Sequence, residues 1–220
     1  GLATQLPVPA GYNATDGDWP PANASCVGFI FNPSGHVLGM MLLGLELRRR
    51  GWGTAALVND AVNVAQAVRL SQRMVHHSPI AALYGSDLAR THATAMPTAR
   101  ALDLELISEP DLGERGYGIF QGEDKSTIQE KFPKEYSRLL SADPDYVIPG
   151  GESIRQVHDR VIAALKRLGQ RHAGEQIAVF THGGVLTVIF NYVLGLAINA
   201  PRRFSIPNTG YNLVSNAGNG

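Results

Sequence analysis

Gln176-Ile177-Ala178-Val179-Phe180-Thr181-His182-Gly183-Gly184-Val185 is the stretch on which the reading of this chain turns. Its first five residues form a short apolar, β-branched run of the kind that fills an interior parallel strand. The two glycines let the backbone turn tightly and approach a ligand closely. From Val185 the apolar residues (Leu186, Val188, Ile189, Val193, Leu194) recur at helical spacing, so His182 falls between the carboxyl end of a strand and the start of a helix. In an open α/β sheet ligands bind at that place, and helix N-termini there favour anions. A tight turn carrying a merely exposed histidine would give the same local pattern.

Outward from this stretch, strand and helix signals alternate. Val27 to Phe31 predicts a first strand, closed by the turn cluster Asn32-Pro33-Ser34-Gly35. Val37 to Leu47 is strongly apolar and ends in Arg48-Arg49-Arg50-Gly51, which predicts a buried helix with a cationic last turn and a glycine stop. Asn59 or Asp60 is positioned to cap a helix to about Met74, with Val64, Val68 and Leu70 inward. Ile80 to Tyr84 predicts a second strand, Arg90 to about Ala101 a helix, and Leu104 to Ile107 a third strand.

Residues 108–150 carry turn formers and charges around a helical piece near Thr127 to Ser141, and read as a cap insertion over one sheet edge. Ser153 or its neighbour caps a long helix, Ile154 to His172, whose inward face holds Val157, Val161, Ile162 and Leu165. Phe204 to Pro207 with Tyr211 to Val214 predicts the last strand. The fold class is therefore α/β, three layers, with a mostly parallel central sheet flanked by helices. Residues 1–25 read as an irregular N-terminal arm, and 26–220 as a single domain.

Nineteen basic and nineteen acidic residues balance, so no long-range field recruits nucleic acid or an anionic membrane surface. No apolar run approaches the ~20 residues that span a bilayer. The first 25 residues lack the charged start and apolar middle of a secretion signal. The lone cysteine, Cys26, allows neither an intrachain disulfide nor a cysteine-based metal cluster and favours a reducing compartment. A cytoplasmic location is the expectation.

Three segments join His182. Tyr84-Gly85-Ser86-Asp87-Leu88-Ala89-Arg90 is again strand end, turn and helix start, with Arg90 one turn in, where a guanidinium can fork onto phosphate oxygens. A surface arginine paired with a carboxylate would look the same. Leu112-Gly113-Glu114-Arg115-Gly116-Tyr117-Gly118 sets a carboxyl group in a glycine-rich loop beside aromatics. A glutamate shielded there can hold a proton and act as a general acid, whereas a solvated one is inert. Pro149-Gly150-Gly151-Glu152-Ser153 reads as a structural helix start.

Taken in order and at these spacings, the segments resemble the histidine phosphatase superfamily, the phosphoglycerate mutase-like fold, from about residue 59 to 214. Pro207-Asn208-Thr209 also resembles the approach to that family's last strand. The resemblance implies a histidine nucleophile that takes the phosphoryl group, forming a phosphohistidine later discharged by water or a second substrate. It implies that His182 is the second, charge-neutralising histidine, that Arg90 and Gly183 bind phosphate, and that Glu114 protonates the leaving alkoxide. It implies no metal and no cofactor, and a small phosphorylated metabolite as partner; a homodimer stays open.

The family's first motif, Arg-His-Gly after the first strand, has no match. After Val27 to Phe31 the sequence reads Asn32-Pro33-Ser34-Gly35-His36, which makes His36 the candidate nucleophile. The proline and extra residues displace it from the strand end, although in-line attack needs the nitrogen within ~3.5 Å of phosphorus. The motif's arginine is missing too, and Arg48, Arg49 and Arg50 are equal candidates to replace it. Ala93 and Gln121 stand where a glutamine and a glutamate are usual. Three readings stay open: a phosphatase with His36 or another histidine recruited, a pseudoenzyme that binds phosphate esters through Arg90 and His182, or residues 1–55 that are not the native reading of the gene. The short segment between Glu114 and Gly150 favours hydrolysis over mutase-type transfer.

Overall fold

The computed structural model describes residues 27–29, 53–59, 64–76 and 79–216. The predicted arm, the apolar Val37 to Leu47 run, Arg48 to Arg50 and His36 lie outside the described residues. Strands β1 (Val27–Phe29), β2 (Gly53–Asn59), β3 (Ala82–Gly85), β4 (Leu106–Ser108), β5 (Gln176–Thr181) and β6 (Tyr211–Asn216) form one sheet in the order β1-β6-β2-β5-β3-β4. β2, β5, β3 and β4 run parallel, while β6 is antiparallel to both β1 and β2. Helices α1 (Val64–Val75), α2 (Ala89–Leu102), α3 (Lys125–Lys131), α4 (Pro133–Leu140), α5 (Ile154–Arg171) and α6 (Gly183–Val193) complete the chain.

Each face of the sheet carries its own core. On one face Val157, Val161, Ala164 and Leu168 of α5 and Val185, Leu186 and Ile189 of α6 pack on Leu57, Tyr84 and Val179. On the other, Leu70 and Met74 of α1 and Ala95 and Ala99 of α2 pack on Val58, Leu83, Ala178 and Phe180. Fully burying one such aliphatic or aromatic side chain contributes roughly 1.5–3 kcal/mol. This is the three-layer α/β arrangement that strand–helix alternation predicted.

Three expectations change. β2 was not predicted: Asn59, read as a helix cap, is instead the last residue of this interior strand, and α1 begins only at Val64. The strand's small and apolar residues carry no alternation because both of its faces are covered. Second, among the described residues β1 pairs with β6 alone, at the sheet edge, so β1 is not beside the His182 strand. Parallel to β5 on that side lies β2. Third, α1 turns Ala67, Leu70, Ser71 and Met74 inward and leaves Val68 39% exposed, because the buried face follows i, i+3, i+4, i+7 from Ala67.

Between β4 and α5 the chain forms no strand. Two short 3-10 turns (Pro110–Leu112 and Gly118–Phe120) are followed by α3 and α4, split at Phe132 where Pro133 opens the second helix. This segment has a small core of its own, Phe120, Tyr146 and Ile148. Ser153 caps α5 through a full capping box with Gln156, as the sequence indicated.

Candidate functional site

Parallel register aligns the carboxyl ends of the middle strands. Thr181 of β5 pairs with Asn59 of β2, and Phe180 pairs with Gly85 of β3. His182 and Ser86, each the next residue after its strand, therefore leave the sheet side by side. Ser86 is fully buried and His182 1% exposed.

The two imidazole nitrogens of His182 have different partners. Arg90 Nη2 lies 3.0 Å from Nδ1. A guanidinium can only donate, so Nδ1 is the acceptor and the proton of the neutral ring sits on Nε2. Nε2 then donates to Ser86 Oγ at 2.7 Å, with Thr91 Oγ1 3.4 Å away. Ser86 and Thr91 are hydrogen-bonded to each other at 2.9 Å. Ser86 and Thr91 thus orient the ring, and Arg90 reaches it from the helix start where the sequence placed it. Gly183 is the first residue of α6, directly after His182.

Glu114 joins this site through α6. The Gly184 amide donates to its Oε2 at 3.3 Å and the Arg115 amide to its Oε1 at 3.0 Å. A carboxylate at a helix N-terminus also meets the positive end of the helix dipole. A β-carbon at Gly184 would collide with Glu114 Oε1, so the glycine admits the carboxyl group. The loop is tied to the histidine strand as well: Thr181 Oγ1 donates to the Leu112 carbonyl at 2.7 Å.

A second layer holds the glutamate loop in place. Arg160 of α5 forks onto Glu152, Nε to Oε1 at 2.7 Å and Nη2 to Oε2 at 2.9 Å. The same guanidinium donates to the carbonyls of Asp111 at 2.6 Å, Gly113 at 2.9 Å and Glu114 at 3.3 Å. Glu152 Oε2 accepts the Gly116 amide at 2.8 Å, and Arg115 donates twice to the Glu152 carbonyl. Burial pushes the Glu152 carboxyl upward, but the Arg160 fork, the Gly116 amide and the Arg115 charge outweigh it and leave it below the usual range. The two glycine-rich segments cross backbone on backbone. Gly118, at φ +48, would set a β-carbon against the Pro149 carbonyl, and one on Gly151 would meet the Gly116 carbonyl.

The structure therefore brings together His182, Arg90, Gly183 and Glu114. Ser86, Thr91, Thr181, Arg160 and the Glu152 side chain are additions that sequence reasoning missed. Arg160 left one signal: it borders the buried stripe of Val157, Val161, Ala164 and Leu168 on α5. His172, at the end of α5, meets the Tyr84 hydroxyl at 2.8 Å through Nε2, its side chain 14% exposed. No helix among the described residues is long and apolar enough to cross a membrane.

The model of the histidine phosphatase superfamily (branch 1) matches residues 49–220, so its first strand within the match is β2. A second model, described as AtPDCT1/2, matches residues 1–91. A metal-independent phosphoserine phosphatase of Arabidopsis thaliana is 40% identical over 60% of this chain and 56% of its own length. The chain thus spans little more than half of that plant relative. Phosphoserine phosphatase 1 of Hydrogenobacter thermophilus is 28% identical over 84% of this chain and 80% of its own. The structure of Bacillus stearothermophilus YhfR superposes with a TM-score of 0.65 at 20% identity, covering 73% of this chain and 90% of that one, a likeness of fold. With the family model spanning β2 through β6 and the His182–Arg90–Glu114 site within it, the chain belongs to the histidine phosphatase superfamily.

Proposed function

We propose that this chain is a metal-independent phosphatase acting on small phosphate monoesters. The observation that carries the reading is Arg90 Nη2 at 3.0 Å from His182 Nδ1, with Glu114 seated on the Gly184 amide two residues further along. Arg90 and the α6 amides offer donors for the non-bridging phosphate oxygens, where phosphoryl transfer is mostly stabilised. In the first step a histidine nitrogen bonds to phosphorus as the P–O ester bond breaks, and Glu114 gives its proton to the departing alkoxide. In the second, water attacks the phosphohistidine and Glu114 takes a proton back. His36 is the candidate nucleophile. The phosphoserine phosphatases among its relatives suggest a phosphorylated amino acid as substrate. The single cysteine, Cys26, suits a reducing, cytoplasmic setting.

A second reading rests on β2. This strand lies parallel to β5 and ends at Asn59, and the sequence continues Asp60-Ala61 where the family motif has Arg-His-Gly. On this second reading the chain binds phosphate esters without turning them over. Phosphate release from an aryl phosphate in chelator, for the parent, His36→Ala, His182→Ala and the triple variant Asn59→Arg, Asp60→His, Ala61→Gly, decides between the two. Parent turnover lost in both histidine variants supports the hydrolase. A silent parent that gains turnover in the triple variant supports the binding protein.

A further inference from the structure

The connection from α6 to β6, residues 194–210, carries no helix or strand of its own. Its two ends are fixed. At the near end Gly195, in the left-handed region at φ +66, stops α6. The Gly195 amide donates to the Tyr192 carbonyl at 3.1 Å and the Leu196 amide to the Asn191 carbonyl at 2.8 Å. At the far end the Phe204 ring stands edge-on to Phe190, centres 5.1 Å apart, and Ile206 packs against the α5–α6 core.

Between these ends residues 196–203 form a strap. Leu196, Ala197, Asn199 and the run Pro201 to Arg203 are exposed. Two asparagine side chains hold it. Asn191 of α6 donates through Nδ2 to the Ala200 carbonyl at 3.2 Å, and Asn199 donates through Nδ2 to the Ala142 carbonyl, just beyond α4, at 3.1 Å. The second bond is exposed to solvent, and Ala142 meets it at φ +53, a left-handed conformation that costs an alanine energy. A segment held by few, solvent-exposed hydrogen bonds between buried anchors opens locally without unfolding the rest. Its inner residues Ile198, Asn199 and Ala200 line one cleft with Gly184 and Asn191. Gly184 is the residue whose amide holds Glu114. Asn191 Oδ1, in a residue 2% exposed, has no hydrogen-bond partner, an acceptor that a strap drawn further inward would satisfy.

We infer that the strap is a gate: hinged at Gly195 and latched by Asn199 on Ala142, it closes the cleft beside Glu114 and opens for ester entry and product exit. The inference rests on the phosphate-ester reading of the adjoining site for what passes through, and adds a moving part to it. The segment between β4 and α5 suits the latch because it has a core of its own. Leu139, three residues before Ala142, packs on Phe120, Tyr146 and Ile148, so the carbonyl stands on a body separate from the strap. The bond favours the closed form equally with the site empty or filled. Breaking it therefore speeds entry and exit alike and leaves affinity almost unchanged.

The test compares the parent with Asn199→Ala by two measurements. Hydrogen exchange read by mass spectrometry reports opening of the strap without any ligand. Phosphorus NMR line broadening of phenylphosphonate, whose carbon–phosphorus bond is not hydrolysed, reports dissociation whether or not the chain turns esters over. Asn199→Ala should speed exchange in residues 196–200 about fivefold, the worth of one hydrogen bond, with α6 unchanged. The phosphonate off-rate should rise by a similar factor while Kd moves by less than about twofold. Unchanged exchange, or faster exchange with an unmoved off-rate, overturns the gate and leaves phosphate binding intact. A Kd that rises by the same factor as the off-rate makes Asn199 a wall contact and overturns it too. A parent that binds no phenylphosphonate overturns the gate together with the phosphate-ester reading.

Discussion

Arg160 grips both oxygens of Glu152 and, with its remaining donors, three backbone carbonyls of the loop that carries Glu114. No other side chain described here touches so much of that loop. The position of the proton donor is therefore set from α5, a helix that contributes no group to the phosphate cradle itself.

Lysine at this place keeps the charge but cannot reproduce the fork or reach three carbonyls. Arg160→Lys should slow alkyl phosphate esters roughly tenfold or more, in the range that general acid catalysis supplies, and activated aryl esters far less. Steady-state rates across esters of graded leaving-group acidity check this. Equal losses for all esters would show that Arg160 supports the fold and not the position of Glu114.

Gly184 offers the reverse dissociation. Alanine within a helix is favoured over glycine by about 0.5–1 kcal/mol, yet here the added carbon displaces the Glu114 carboxyl group. Gly184→Ala should therefore hold or raise the thermal midpoint while slowing alkyl phosphate esters far more than activated aryl esters. A variant as active as the parent on alkyl esters would remove Glu114 from the mechanism.

Ser86 fixes which nitrogen of His182 carries the proton. Ser86→Ala removes the 2.7 Å acceptor of a buried N–H and leaves the Thr91 hydroxyl 3.4 Å away, a loss of about 1–3 kcal/mol in stability. Nitrogen NMR of the imidazole should show the Nε2-protonated tautomer in the parent and a mixture in the variant. An unchanged tautomer would mean that Arg90 alone sets it.

Acid should weaken the clamp that Glu152 makes with Arg160. The Glu152 carboxyl lies below its ordinary value of 4.5 in the folded chain. Its contribution to stability is then complete above that value and is lost as pH falls through the lower, folded one. Comparing thermal midpoints of the parent and Glu152→Gln from neutral pH downward should show a gap that closes below about pH 4.5. A gap independent of pH would assign the effect to packing.

What the sequence displayed and what it hid follow one division. His182, Arg90 and Glu114 were legible because each sits at a strand end or in a glycine-rich loop whose local pattern survives without the rest of the fold. Ser153 was legible for the same reason, since a capping box lies within four residues. β2 was not, because Gly53-Thr54-Ala55-Ala56-Leu57-Val58-Asn59 has neither alternation nor a heavy β-branched run, and its closing asparagine imitates a helix cap. With β2 unseen, the nucleophile was expected after β1, a strand of the sheet edge. Arg160 was hidden by distance: its partners Asp111 and Gly113 are 49 and 47 residues away, and only tertiary packing reveals them.

The hydrogen bond from His182 to Ser86 spans 96 residues, and that separation has a consequence for synthesis. A ribosome completes Ser86, Arg90 and Thr91 long before His182 emerges, and parallel pairing of β3 with β5 cannot begin until then. Loops of that length close slowly. A nascent chain accordingly carries Ser86, Arg90 and Thr91 without their histidine until the β5 segment leaves the exit tunnel, and only then can His182 join them.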